Sequence, residues 1–88
     1  MSGMSTARRS MALQITIVDG TTASTNIAVS GIATDDEIIF VGHYSTKASI
    51  ATLVDDTANC SITSAGNIQS TTNTSSDLLQ VYWIDTSL

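Results

Sequence analysis

Apolar residues recur at every second position through much of this chain, and no other feature constrains its fold as strongly. Leu13, Ile15 and Ile17 alternate with less apolar neighbours, so a strand at this place has one apolar face. The β-branched residues that favour strands are abundant, with 10 Ile and 5 Val. Turn dipeptides such as Asp19-Gly20 separate the runs, and the chain contains no proline. The pattern therefore predicts a domain of short β-strands.

The alternating runs predict about six strands joined by loops of about three to seven residues. The run over residues 37–44 is the strongest and is apolar on both sides, which is typical of a strand that lies between two layers or meets a second subunit. Alternation predicts Ile38, Phe40 and Tyr44 on one side of this run and Ile39 and Val41 on the other. The predicted strands cover residues 13–18, 26–30, 37–44, 60–63, 68–71 and 78–84.

Short strands at a spacing of about 10–12 residues predict an all-β fold, a small antiparallel β-sandwich or barrel of the Greek-key or jelly-roll kind. Residues 45–54 fit two structures. Ser45 or Thr46 is a suitable N-cap for a short helix over 46–54, in which Ile50, Leu53 and Val54 have helical spacing. The high Ser and Thr content favours a strand or an ordered loop instead. Both structures stay open from the sequence.

Residues 1–12 differ in composition from the remainder of the chain. They contain two of the three cationic residues, all three methionines and no acidic residue. We interpret them as a flexible N-terminal arm and residues 13–88 as a single domain. A chain of 88 residues has little material for a core, and its single cysteine provides no internal disulfide. Self-association is the remaining means of stabilisation, so the sequence predicts a homo-oligomer.

Charge and composition argue against several classes of partner and cofactor. The net charge is −5, from 3 Lys and Arg against 8 Asp and Glu, which repels the phosphates of nucleic acid. No apolar run approaches the length of a membrane span, so we expect no membrane insertion. One Cys and one His do not fill a zinc site. We therefore expect no metal and no other cofactor.

The residues with catalytic potential fit structural roles at least as well. His43 lies near Ser45 and Ser49, but its strand neighbour Tyr44 points to the opposite face, and 27 Ser and Thr residues place a hydroxyl near any histidine. No nucleophile-elbow motif accompanies it, so we predict no enzyme activity. The acidic runs at 35–37 and 55–56 are typical turn residues rather than a Ca²⁺ site or a glycosidase pair. Cys60 has no neighbouring cation that would activate its thiol.

Four residues are candidates for contact with a partner. Tyr82 and the neighbouring Trp83 fall on opposite faces of the final strand, so one ring is expected in the core and the other at an interface. His43 is expected to be structural or to lie at an interface. Arg8 and Arg9 are the only clustered cations, and on a basic arm they suit an acidic neighbouring surface. The candidate partner-binding residues are Arg8, Arg9, His43 and Tyr82.

Five segments carry a pattern beyond strand alternation. They are GIATDDEII at 31–39, HYSTKASIATL at 43–53, SIT at 61–63, GNIQ at 66–69 and LLQVYW at 78–83. Their order is similar to that of small proteins encoded beside the major capsid gene in tailed bacteriophages. The likeness consists of a G-x-A-x-x-D-E pattern before a strand, ST-x-ASIA-x-L after it and a final strand similar to LLV-x-W. It covers about residues 13–86 and leaves the arm outside.

The resemblance implies a capsid decoration, or cement, protein. Members of this kind are β-rich, often trimeric, and bind the outside of an icosahedral shell, where they stabilise the junctions between capsomers. The implied partners are the major capsid protein and further copies of this chain, and the implied place is the virion surface after synthesis in the host cytoplasm. No catalytic residue comes with the resemblance. Two alternatives stay open, namely another virion β module of the head–tail, tail or fibre, and a small carbohydrate- or cell-surface-binding module that uses Tyr82 or Trp83.

Overall fold

The computed structural model describes residues 12–46 and 49–86, and these residues form two antiparallel β-sheets. A single turn of 3₁₀ helix, Thr57–Asn59, lies between the fourth and fifth strands. None of the described residues forms a helix that is long and apolar enough to cross a membrane. The strands are β1 (Ala12–Asp19), β2 (Ile27–Ala28), β3 (Glu37–Thr46), β4 (Ser49–Asp55), β5 (Cys60–Ser64), β6 (Asn67–Ser70) and β7 (Leu78–Asp85).

The larger sheet has four strands in the order β1-β7-β3-β4, and the smaller sheet has three in the order β2-β6-β5. The first strand of the larger sheet therefore pairs with the last one. The β1–β7 register is unbroken from Ala12 opposite Asp85 to Asp19 opposite Leu78. The pairings of β3 with β7, of β3 with β4 and of β5 with β6 each contain a register shift. The all-β fold class predicted from the sequence is confirmed.

The core lies between the two sheets. β7 contributes one face of alternating residues, and β2 and β6 contribute one Ile each from the opposite sheet. Two further aliphatic residues come from the turns after β2. Trp83 is 2% exposed, and its indole Nε1 donates to Thr16 Oγ1 at 3.1 Å, so the ring is both buried and hydrogen-bonded. The buried apolar residues are Ile27, Val29, Ile32, Val41, Ile68, Leu79, Val81 and Trp83.

The structure decides one alternative that the sequence left open and corrects one expectation about local structure. Residues 49–55 form strand β4 against β3, so the short helix over 46–54 does not form, because the apolar spacing there fits both periods and the β3 ladder supplies backbone partners. A bulge between Ile38 and Phe40 breaks the alternation of β3. Ile38 packs against the core, whereas Phe40 lies on the other side of the sheet opposite Tyr82. The predicted arm, except for Ala12, lies outside the described residues.

A buried carboxylate at Asp56 holds the corner where the chain leaves the larger sheet for the smaller one. Asp56 is 2% exposed and accepts hydrogen bonds from Ser70 Oγ at 2.7 Å, Asn59 Nδ2 at 2.8 Å and Thr72 Oγ1 at 3.1 Å. Its backbone N–H donates to the carbonyl of Val41 at 2.8 Å. The corner is therefore tied both to β3 and to the end of β6.

The loop between β6 and β7 is fixed by Thr74, whose side chain is fully buried. The Thr74 hydroxyl donates to the carbonyl oxygen of Thr21 at 3.1 Å and accepts from the Thr21 N–H at 3.0 Å. The neighbouring Gly20 lies so close to Thr74 that a Cβ at residue 20 would overlap the Thr74 backbone. This packing joins the end of β1 to the loop that precedes β7.

Candidate interaction surface

The side of the four-stranded sheet that faces away from the smaller sheet is apolar, and we call it the outer face. The register of β1, β7, β3 and β4 places residues from all four strands on this side. The residues of the outer face include Leu13, Ile15 and Ile17 of β1, Leu78, Gln80, Tyr82 and Ile84 of β7, Phe40, Gly42 and Tyr44 of β3, and Leu53 of β4.

Strand β1 turns its more apolar side outward. Leu13, Ile15 and Ile17 are 55%, 54% and 59% exposed, while Gln14 and Thr16 on the other side of the strand are partly buried. Leu53, on the opposite margin of the outer face, is 50% exposed. An amphipathic edge strand that covers only its own core would place these aliphatic residues inward. The orientation of β1 therefore makes the outer face a candidate interaction surface.

The polar groups in the centre of the outer face are few, and two of them bind each other. The Tyr44 hydroxyl donates to Gln80 Oε1 at 3.3 Å. Two polar side chains that satisfy each other enter an interface at less cost than unpaired ones. The ring of Phe40 meets that of Tyr82 edge to face, with 5.8 Å between the centroids.

Gly42 lies beneath two of the apolar side chains of the outer face. A Cβ at residue 42 would lie 2.7 Å from Leu53 Cδ1 and 3.0 Å from Phe40 Cε2. The absence of a side chain at Gly42 thus lets Leu53 and Phe40 close over the backbone of β3. The result is a continuous apolar surface from β3 to β4 rather than a hole.

The charged residues of the outer face stand at its margin. By register, Asp19 follows the last apolar residue of β1, Glu37 begins β3 opposite Ile84, and Asp55 ends β4 opposite Gly42. All three are exposed acids. An apolar centre with a charged rim is the usual composition of a protein–protein interface. Here the rim has one sign, because the described residues contain no Lys or Arg.

The four candidate partner-binding residues do not lie together on one described surface. Tyr82 lies in the centre of the outer face, while Trp83 lies in the core, so the two rings are on opposite faces as predicted. Arg8 and Arg9 lie outside the described residues. His43 is on the inner side of β3 and is 8% exposed, so its side chain is not part of the outer face.

His43 forms a close pair with an acid that sequence reasoning missed. Its Nε2 lies 2.6 Å from Asp77 Oδ2, and both side chains are largely buried. Its Nδ1 is buried without a hydrogen-bond partner. Asp77 stands 34 positions further along the chain, and no local pattern connects the two residues. The pair links β3 to the loop before β7, and no Ser or Thr hydroxyl among the described contacts binds this imidazole.

Asp36 and Asp55 accept hydrogen bonds from neutral groups. The backbone N–H of Thr86 holds the pKa of Asp36 below its usual value, and the N–H of Ala33 adds to this effect. The hydroxyl and N–H of Thr57 lower the pKa of Asp55 in the same way. These bonds agree with the turn roles expected at 35–37 and 55–56. The described residues contain no group of three or more His, Cys, Asp or Glu that could hold a metal ion.

Cys60 is half-buried beside Asp56. Burial raises the pKa of its thiol to about 12, and the negative charge of Asp56 acts in the same direction. The thiol donates weakly to Asp56 Oδ2 at 3.7 Å. At neutral pH the Cys60 sulfur is therefore a protonated, poorly nucleophilic group.

The described residues thus concentrate their exposed apolar side chains on the outer face. The candidate site is identified from this arrangement and not from similarity to a known protein. No family model, curated protein or solved structure matches the chain.

Proposed function

We propose that this chain is a structural virion protein, a capsid decoration protein that binds the outside of an icosahedral phage head and stabilises the junctions between capsomers. The observation that carries the proposal is the exposed apolar outer face with its acidic rim. The partner is the major capsid protein, and the protein acts by burying surface rather than by chemistry. The sequence resemblance supports the same function.

The outer face sets requirements for the partner surface. Its aliphatic centre calls for an apolar patch, since half-exposed Leu and Ile side chains each gain roughly 1 kcal/mol when they are fully covered. The acids Asp19, Glu37 and Asp55 call for Lys or Arg around that patch. Two outer faces packed against each other would bring acidic rims together. The charge pattern therefore favours a different protein as occupant of this face.

A carbohydrate-binding module is not favoured by the positions of the aromatic rings. Trp83, the strongest candidate for stacking on a sugar, is in the core with its N–H bound to Thr16. Tyr82 lies on the outer face among aliphatic side chains and packs against Phe40. A flat, largely apolar surface of this kind suits a protein partner better than a hydroxyl-rich sugar.

The test is co-sedimentation with empty, expanded phage heads assembled from the major capsid protein of the genome that encodes this chain. The variant Leu53→Lys places a charge on the outer face, and Val54→Lys is its matched control. Val54 is 42% exposed and is the next residue of β4, but it lies opposite His43 and so points to the other side of the sheet. We expect the wild type and Val54→Lys to bind and Leu53→Lys to bind at least tenfold more weakly.

Two results would overturn the proposal. One is that the wild-type protein stays in the supernatant at every protein and head concentration tested. The other is that both lysine variants bind as well as the wild type, because the outer face would then not be the contact. Fluorescence of the buried Trp83 checks that each variant is folded.

Self-association belongs to the same proposal. A chain of this size is stabilised by contact with further copies, and the resemblance alone implies three of them. The native mass in solution tests this number independently of binding to heads.

A further inference from the structure

Among the described residues, β1 is the one edge strand without a structural feature that hinders pairing with another chain. Free strand edges present unpaired backbone groups, and proteins blunt them with short strands, bulges or charges. The edge strand β2 has only 2 residues. The edge strand β5 contains a register shift between Ile62 and Ser64, and β4 meets its neighbour with a shift between Tyr44 and Thr46. Strand β1 has 8 residues and an unbroken register with β7.

The composition of β1 also fits association. Between Ala12 and Val18 the strand contains no charged residue, no glycine and no proline. Long, regular and apolar edges of this kind are sites of pairing with a further strand. Among the described residues, no strand is hydrogen-bonded to the edge of β1 that faces away from β7.

The hydrogen bonds of β1 show which backbone groups face the free edge. Gly20 continues the register of β1, and its N–H donates to the carbonyl of Asp77 at 3.0 Å. In an antiparallel ladder, alternate residues bond to the same neighbour, so the even-numbered residues of β1 bond to β7. The N–H and C=O groups of Leu13, Ile15 and Ile17 therefore point to the free edge.

We propose that β1 pairs antiparallel with β1 of a second copy, across a twofold axis near Ile15. Centred there, Leu13 lies opposite Ile17 of the second copy and Ile15 lies opposite its own equivalent. These three pairs exchange about six backbone hydrogen bonds. Apolar side chains then meet apolar side chains on the outer side of the sheet, which adds roughly 0.2–1 kcal/mol for each cross-strand pair.

A second copy is the partner because the edge is complementary to itself. The two β1 strands contribute no charge to the ladder between residues 12 and 18, so no like charges face each other within the paired segment. The pairing joins two four-stranded sheets into one of eight strands. The two outer faces become continuous and stay accessible to a different partner. The pairing does not depend on the capsid function, and it predicts a dimer where the resemblance implies a trimer.

Amide hydrogen exchange on the full wild-type chain tests the pairing without any substitution. In the dimer, the amides of Leu13, Ile15 and Ile17 are bonded across the twofold, so we expect them to exchange as slowly as those of Gln14 and Thr16. Their protection should fall on dilution, while that of Gln14 and Thr16 persists. If the odd-numbered amides exchange at least tenfold faster than the even-numbered ones at high protein concentration, the proposal is refuted.

Native mass by light scattering provides the second test, on the wild type and two variants of one residue. Ile15→Pro removes an edge-facing N–H without removing a bond to β7, and proline is tolerated on strand edges. Ile15→Ala removes the same side chain and keeps the N–H. We expect a dimer for the wild type and for Ile15→Ala, and a monomer for Ile15→Pro. A wild-type monomer or trimer, or a dimeric Ile15→Pro, overturns the proposal. Failure of a dimer to bind heads rejects only the capsid function.

Discussion

Replacement of Asp56 by alanine tests whether one buried carboxylate holds the corner between the two sheets. The carboxylate accepts bonds from Ser70, Asn59 and Thr72 at 2.7–3.1 Å. Ser70 is itself 2% exposed, so its hydroxyl would be left buried without an acceptor, at a cost of about 1–3 kcal/mol. Asn59 is exposed and Thr72 half-buried, so water replaces part of what they lose. The burial cost of the carboxylate disappears at the same time. We expect a net loss of about 2–4 kcal/mol.

The assay is urea unfolding at neutral pH, followed by the fluorescence of the buried Trp83. The unfolding midpoint should fall while the slope of the free energy against urea stays constant, since the surface exposed on unfolding is unchanged. Asp55→Ala is the control, because Asp55 is the adjacent exposed acid and binds only Thr57 among the described contacts. A loss for Asp56→Ala no larger than that for Asp55→Ala would refute the reasoning.

The difference in unfolding free energy between wild type and Asp56→Ala should decrease at low pH. Burial raises the pKa of Asp56, but the hydrogen bonds from Asn59, Ser70, Thr72 and Cys60 together outweigh it, so the pKa lies below the ordinary 3.8. A depressed folded-state pKa means that the contribution is fully present above the unfolded-state pKa and is lost as the pH falls through the folded one. The difference in unfolding free energy between wild type and Asp56→Ala should therefore be constant near neutrality and shrink below about pH 3.8.

Three further substitutions or measurements check other parts of the structure. Gly20→Ala should destabilise the protein by about 3 kcal/mol in urea unfolding, because a Cβ there overlaps the Thr74 backbone; an unchanged midpoint would contradict this contact. Thr16→Val leaves the indole N–H of Trp83 without its acceptor and should cost about 1–2 kcal/mol, whereas a gain in stability would show that the bond contributes nothing. Cys60, with its pKa raised to about 12, should react with a thiol reagent at pH 8 far more slowly in the folded protein than in urea, and equal rates would contradict its protonated state.

Period-two alternation was sufficient to predict the strands whose register is regular. In β7 the alternation predicts that Tyr82 and Trp83 lie on opposite faces, and Trp83 is indeed buried together with Leu79 and Val81 of the same face. The same rule fails in β3, because a bulge between Ile38 and Phe40 inserts one residue and moves Phe40 to the other side. No single-sequence pattern specifies a bulge, since it depends on how the strand meets its neighbours.

The candidate surface was only partly predictable for a related reason. Alternation shows that β1 has an apolar face, but not that this face points away from the core; the orientation follows from the pairing with β7, whose Trp83 binds the inward-facing Thr16. The partner of His43 was also hidden, because Asp77 approaches it only after the chain has folded back. Local propensity does not encode contacts at such separations.

The order of strands in the larger sheet determines when the fold can appear during synthesis. Strand β7 lies between β1 and β3, yet it is the last of these strands to leave the ribosome. Until it does, β1 and the β3–β4 hairpin have no common neighbour, and the backbone groups of β1 that bond to β7 lack their partners in the nascent chain. Topologies dominated by pairings between strands far apart in the sequence fold slowly and populate aggregation-prone intermediates. Synthesis of β7, and not the appearance of β1 or β3, therefore allows the larger sheet to form.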